Sequence, residues 1–299
     1  MVDFSRFQGP SEEWEAYVKN NHLPPVDLTS SPQTIRKLTN ALRVNISQTE
    51  LDFDELREKV SWRDYSLLTR DKQSIIIRVY RPSHISNAEQ LPVYLYFHGG
   101  GHLLGTVETE DAACSRLASH AGIVVTSANY RHTPEFKHPT QVHDAWDSFE
   151  WLAKNARIIG GDPTRVIVGG ISAGAGLAAS IVIRQHNMVR RNILPRPDLE
   201  ISGQLICIPW LVHPDNQPIE RHPTASFEQN VNAPVLPLSL LRHFTDLLGA
   251  QDPKDPDLNV GLTQDSDIVG LPKTSVLVAG QDLLRDEGLN YAEKLSRNR

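Results

Sequence analysis

The chain has 299 residues, 39% of them apolar and 22% charged, with a formal net charge of −6 and only two cysteines. That length and apolar content suit one large buried core, while the acidic balance leaves no basic face for nucleic acid. Cys114 and Cys207 are far apart in apolar surroundings, so neither a disulfide framework nor a zinc site is indicated and both read as buried thiols.

The N-terminus, Met-Val-Asp-Phe-Ser-Arg-Phe-Gln-Gly-Pro, lacks the apolar segment of a secretion signal, and no run approaches the roughly 18 apolar residues of a membrane span. A cytoplasmic protein without metal or cofactor is expected. Residues 1–60 read as short amphipathic helices. Trp14, Tyr17 and Val18 share a face, Ser31-Pro32 offers an N-cap with proline at N1, Ile35, Leu38, Ala41 and Leu42 follow at helical spacing, and a further short helix is expected over 52–60. Periodicity alone favours a packed helical hairpin; a lid or interaction arm is the other reading.

From Trp62 the period changes. Residues 65–68 and 75–80 read as a strand hairpin stopped by Arg81-Pro82, and Val93-Tyr94-Leu95-Tyr96-Phe97 as a buried central strand. Helices over 110–121 and 142–156 then alternate with strands over 123–127, 166–168, 199–208 and 275–279, the pattern of a mostly parallel sheet covered on both faces. The proline-rich stretch 209–272, with a helix over 238–248, reads as an insertion over the C-terminal edge of the sheet, where ligands of open α/β sheets bind.

Two motifs carry chemistry. Val166-Ile167-Val168-Gly169-Gly170-Ile171-Ser172-Ala173-Gly174 reads as strand, sharp turn and helix, the context of a nucleophile elbow. It places the Ser172 hydroxyl at a helix N-terminus, where backbone N–H groups favour developing negative charge. His98-Gly99-Gly100-Gly101 follows the central strand directly. Consecutive glycines let N–H groups converge on an anion, so Gly99, Gly100 and Gly101, with the N–H of Ala173, make a candidate oxyanion hole. A phosphate loop is disfavoured, since no Lys-Ser/Thr follows and the glycines do not fit G-x-G-x-x-G.

With Asn129-Tyr130-Arg131-His132-Thr133-Pro134-Glu135 and Asp282-Leu283-Leu284-Arg285-Asp286-Glu287-Gly288, these motifs resemble the hormone-sensitive-lipase-like (H-G-G-G) family of α/β-hydrolases, from about residue 62 onward. The cap residues Ser226-Phe227-Glu228-Gln229-Asn230 and Ala233-Pro234-Val235 are similar to those of filamentous-fungal members. The resemblance implies an α/β-hydrolase fold, with a helical cap segment over 1–60, the hydrolase domain over 61–299 and a cap insertion over 209–250. It also implies a serine carboxylesterase acting on a small-molecule ester, in fungal secondary metabolism for some members, and leaves room for a homodimer.

Within that scheme Ser172 attacks the ester carbonyl, Asp282 orients a histidine, His98 fixes the oxyanion loop and Asp286 is structural. His102 lines the pocket, with Phe4, Phe7, Trp210 and Leu211 as further candidates for an apolar acyl site. Ile171 and Asn129 stand where the family has aspartates, and Ala175 where it has glycine, which puts loop-anchoring hydrogen bonds in question.

An in-order triad needs a histidine after Asp282, and residues 283–299 contain none; none of His98, His102, His213 and His243 has a sequence argument for reaching Ser172. The chain is therefore expected to stop short of the family's last strand, histidine loop and last helix, and its activity to be impaired. A ligand-binding pseudohydrolase and a nonfunctional truncated product are the alternatives.

Overall fold

The computed structural model describes residues 4–21, 27–193, 199–217 and 224–298. Its helices are α1 (Glu12–Asn20), α2 (Pro32–Phe53), α3 (Leu56–Lys59), α4 (Asp111–Ala121), α5 (Thr140–Asn155), α6 (Ala173–Arg190), α7 (Ser226–Gln229), α8 (Leu238–Leu248) and α9 (Arg285–Arg297). The strands are β1 (Val60–Leu68), β2 (Ser74–Pro82), β3 (Leu91–Phe97), β4 (Val124–Ala128), β5 (Gly161–Ile171), β6 (Ile201–Cys207) and β7 (Lys273–Leu277), in the spatial order β1-β2-β4-β3-β5-β6-β7. The β1–β2 and β2–β4 pairs are antiparallel and the rest parallel. This is the mostly parallel sheet that the alternating pattern implied, in the α/β-hydrolase arrangement that the family resemblance implied.

Burial explains the layers. β3 sits mid-sheet with six of its seven residues buried. Its Val93, Leu95 and Phe97 face the apolar stripe of α5, Val142, Ala145, Trp146, Phe149 and Leu152, with Leu177 and Ile181 of α6 completing that layer. Tyr94 and Tyr96, on the opposite face, meet Cys114 and Ala118 of α4. Cys114 is buried as expected, whereas Cys207 at the end of β6 is half-buried.

Helix α2 departs from the sequence reading. It runs unbroken for 22 residues, capped by Ser31, whose Oγ accepts from the Thr34 N–H at 3.2 Å. No glycine or later proline interrupts it, so residues 32–53 form one long helix where short ones were expected. Its inward residues, Ile35, Ser47 and Leu51, are widely spaced. Leu38 and Leu42, expected to pack, are exposed at 65% and 60%. Polar ties hold the helix instead: Arg36 to Glu135 at 2.7 Å, Asn40 Oδ1 accepting from the Gly105 N–H at 2.9 Å, and Ser47 Oγ accepting from the Ala112 N–H at 3.0 Å near the start of α4. Among the described residues no helix is long and apolar enough to cross a membrane.

Candidate active site

β5 delivers Ile171 to the C-terminal edge of the sheet, α6 begins at Ala173, and Ser172 between them has φ 54° and ψ −119°. A side chain held at positive φ is strained, and the strain persists because the surroundings over-determine it. The Ser172 N–H donates to the Cys207 carbonyl at 2.9 Å, and its own carbonyl accepts from Ala175 and Gly176 of α6 and from Trp210 at 3.1 Å. A Cβ on Gly174 would overlap the carbonyl oxygens of Phe97 and His98, so the turn admits only glycine there.

The Gly99–Gly101 stretch leaves β3 beside this turn. Gly100 O accepts from the Leu103 and Leu104 N–H groups at 3.0 and 2.9 Å, closing a tight loop. Gly101 has φ +60°, and its Cα lies against the Phe244 ring of α8 so closely that a Cβ has no room. The N–H groups of Gly100, Gly101 and Ala173 donate to no acceptor among the described residues. His98 is fully buried, its Nδ1 3.0 Å from Gly99 O and its ring stacked on Tyr130 at 4.3 Å, while the Tyr130 hydroxyl donates to His98 O at 2.8 Å. Burial pushes its pKa down, so it stays neutral and holds the loop, the part expected of it.

Asp282 lies on the loop after β7. Its N–H donates to Ala279 O at 3.1 Å, its Oδ1 accepts from the Leu284 N–H at 3.0 Å and its carbonyl accepts from Asn230 Nδ2 at 2.7 Å. Burial raises its pKa against the pull of the Leu284 and Leu283 N–H groups. The rest of its motif ties the cap down. Arg285, fully buried, donates to Thr224 O at 2.8 Å and Gln229 Oε1 at 3.0 Å, and Asp286 Oδ2 accepts from the Ser226 N–H at 2.7 Å. Asp286 is thus structural, in line with its sequence reading.

Ser172, Gly99, Gly100, Gly101 and Asp282 line one cavity of about 810 Å³, walled mainly by Phe7, Trp14, Leu104, Ile208, Leu236, Leu240 and Phe244. Phe7 is there as expected; the other acyl-site candidates are not. His102 and Trp210 line a separate cavity of about 20 Å³ together with Ala173, Gln141 and His213. His102 leaves the β3 loop at φ 61° and packs 5.7 Å from the Trp210 ring, outside the lining of the large cavity. Leu211 is core, packed with α6, and Phe4 is buried outside the cavity lining.

No histidine among the described residues hydrogen-bonds to Ser172 or Asp282. His213 Nδ1 accepts from the Asp215 N–H at 3.2 Å, and His243 Nε2 is buried without a partner. The departure at Asn129 has the foreseen consequence: its Oδ1 is buried with no hydrogen bond. Arg43, Glu110, Leu240 and Phe244 were not foreseen as lining. They come from α2, the start of α4 and α8, and no local motif marks them.

A serine at a strained strand-to-helix turn, beside a glycine loop at the C-terminal edge of a mostly parallel sheet, defines an α/β-hydrolase scaffold. The chain belongs to that family: the family model described as alpha/beta hydrolase fold matches residues 94–299. It is 32% identical over 220 residues to esterase LipI of Mycobacterium tuberculosis, a match that covers 73% of this chain and 64% of that protein, so less than two thirds of the relative's length is represented. Among solved structures, the carboxylesterase EstE1 from a metagenomic library superposes with a TM-score of 0.77 at 31% identity, covering 91% of this chain and 85% of that one. Vibralactone cyclase superposes with a TM-score of 0.87 over 100% of this chain and 85% of its own, at 23% identity, a likeness of fold alone.

Proposed function

We propose that this protein is a serine hydrolase that cleaves carboxylic esters of small molecules through an acyl-enzyme formed on Ser172. The observation that supports the reading is that the strained Ser172 shares one cavity lining with Gly99, Gly100 and Gly101, while the N–H groups of Gly100, Gly101 and the adjacent Ala173 donate to no acceptor among the described residues. Relatives named as esterases support it.

In the proposed reaction Ser172 Oγ bonds to the ester carbonyl carbon and its proton passes to a base, while the carbonyl π electrons move onto oxygen. The three N–H groups and the start of α6 stabilise that oxyanion. Collapse breaks the bond to the alcohol oxygen, which leaves with a proton, and water then hydrolyses the acyl-serine. Asp282 is assigned to orienting the base. Where a triad member is missing, a residual ~10³–10⁴-fold advantage over water comes from the oxyanion hole and binding.

A cavity of about 810 Å³ suits a small-molecule ester. A place in fungal secondary metabolism rests on the cap residues alone. The test is turnover of p-nitrophenyl acetate and butyrate by the purified protein and by Ser172→Ala. Serine-dependent turnover is expected, and equal rates in the two proteins overturn the enzyme reading for this chain. The large cavity, with no histidine among the described residues bonded to Ser172 or Asp282, favours one second reading, a ligand-binding pseudohydrolase, in which Ser172→Ala leaves ligand affinity unchanged and no turnover is seen in either protein.

A further inference from the structure

Besides Asp282, two charged side chains enter the lining of the mostly apolar cavity: Arg43 from α2 and Glu110, the residue before α4. They do not face it equally. The Glu110 side chain is 6% exposed. Its Oε1 accepts from Arg43 Nη2 at 2.6 Å and from Thr109 Oγ1 at 2.8 Å, and its Oε2 accepts from the Tyr96 hydroxyl at 2.6 Å. Both oxygens are thus engaged on the protein side. The Arg43 side chain is 30% exposed, only its Nη2 is bonded, and its Nε and Nη1 donate to no acceptor among the described residues.

A guanidinium against an apolar wall is costly unless its donors are matched, because those groups were hydrated in the unfolded chain. Glu110 satisfies one side of the fork and fixes its orientation, which leaves Nε and Nη1 as the donors of this lining residue that a ligand can engage without further loss of side-chain freedom. What fits there is an acceptor oxygen on the ligand. A carboxylate would meet the Glu110 charge next to its partner and would have to shed its own hydration among apolar side chains. A neutral carbonyl meets neither obstacle and still gains a charge-assisted hydrogen bond.

We infer that Arg43 is a specificity-determining residue whose free guanidinium edge holds a second, neutral carbonyl oxygen of the substrate, so that the preferred class is keto esters or diesters rather than simple alkyl esters. This rests on the ester-hydrolase reading of the cavity. In this reading Arg43 acts on binding, not on the chemistry.

The test is calorimetric titration of the Ser172→Ala protein, which cannot turn over, with methyl pentanoate, methyl 3-oxobutanoate, methyl 4-oxopentanoate and monomethyl succinate. One keto ester is expected to bind about tenfold more tightly than methyl pentanoate, the size of a hydrogen bond to a charged group. The preference is expected to vanish in Ser172→Ala/Arg43→Met, while methyl pentanoate changes by less than about threefold. No preference, a preference that survives Arg43→Met, tighter binding of monomethyl succinate than of both keto esters, or no binding of any of the four at millimolar concentration overturns the inference.

A second measurement covers the case in which Arg43→Met does not fold. With Arg43 intact, the ketone carbon of ¹³C-labelled keto ester is expected to shift downfield on binding, and a free-solution shift for the bound ligand overturns the inference. Because these readouts are of binding, they are independent of turnover: an inactive wild-type protein overturns the hydrolase reading and leaves the Arg43 result to be judged separately.

Discussion

The acid of Glu287 gives the sharpest prediction. It sits in the first turn of α9, almost completely buried, and its Oε1 accepts from the N–H groups of Leu211 at 2.5 Å and Val212 at 3.3 Å, while its Oε2 accepts from Gln217 Nε2 at 2.6 Å. The residue before Leu211 is Trp210, whose N–H holds the Ser172 carbonyl, so Glu287 props the chain that braces the elbow. Burial pushes its pKa from 4.5 up to about 8, with the charge of Asp282 adding to the rise and the three hydrogen bonds opposing it.

A carboxyl whose folded pKa exceeds its unfolded one contributes stability that is fully present below pH 4.5 and is lost as pH rises through about 8. The buried histidines oppose this at lower pH. Burial drives His98, His102 and His132 below 6.5, so their contribution is present above that value and lost as pH falls beneath it. From 6.5 to about 8 the Glu287 slope is therefore free of those histidines. Over those roughly 1.5 pH units it removes about 2 kcal/mol, at about 1.4 kcal/mol per unit.

For a domain of this size that corresponds to a fall of about 4 °C in Tm. Scanning calorimetry at pH 6.5 and 8.5 checks it. Glu287→Gln, which mimics the protonated acid, is expected to flatten the dependence while staying within about 1 kcal/mol of the parent at pH 6.5. If the Gln variant loses as much Tm over the same interval as the parent, another group is titrating and the assignment to Glu287 is wrong.

Three further predictions follow from packing. Gly101→Ala places a methyl into the Phe244 ring at a residue with φ +60°, so ester turnover is expected to fall at least about tenfold, with partial recovery in Gly101→Ala/Phe244→Ala; p-nitrophenyl butyrate kinetics read this out, and an undiminished kcat refutes the close approach. Leu51→Ala empties a fully buried site among Leu56 and Ala112, and urea denaturation is expected to show a loss of about 2–5 kcal/mol if α2 unfolds with the domain. Arg36→Ala removes a pair with Glu135 whose side chains are 24% and 41% exposed, so the same measurement is expected to change by no more than about 1 kcal/mol, and a larger loss would show that solvent screens the contact less than its exposure implies.

Much of the candidate site was legible because its determinants are local. The elbow needs a β-branched strand, glycines two positions to either side of Ser172 and a helix after it, all within a dozen positions. The glycine loop directly after β3 is equally self-contained. α8 was placed at 238–248, and the structure has Leu238–Leu248, because its apolar stripe is strong and Gly249 stops it. The reading of 1–60 failed where the local signal was ambiguous. Leu38 and Leu42 share a stripe with inward residues, but whether a stripe is buried depends on what lies opposite, and here α2 is secured by ion pairs and hydrogen bonds.

His102 shows the same limit at the scale of one residue. Following three glycines directly, it invited a place in the pocket, yet it has a positive φ and packs against Trp210, outside the large cavity. Arg43 and Glu110 are 67 positions apart and belong to no shared motif, so their pairing exists only once α2 lies across the start of α4.

By itself, then, the sequence determined the alternating sheet, the strained serine and the glycine N–H groups, since backbone geometry over a few residues decides each of them. The tertiary structure alone decided which side chains wall the cavity, that Glu287 is buried among the N–H groups of Leu211 and Val212, and that Arg43 meets Glu110 at the cavity lining. Those properties are sums of burial and distance over segments remote in the chain, and no short stretch of sequence contains them.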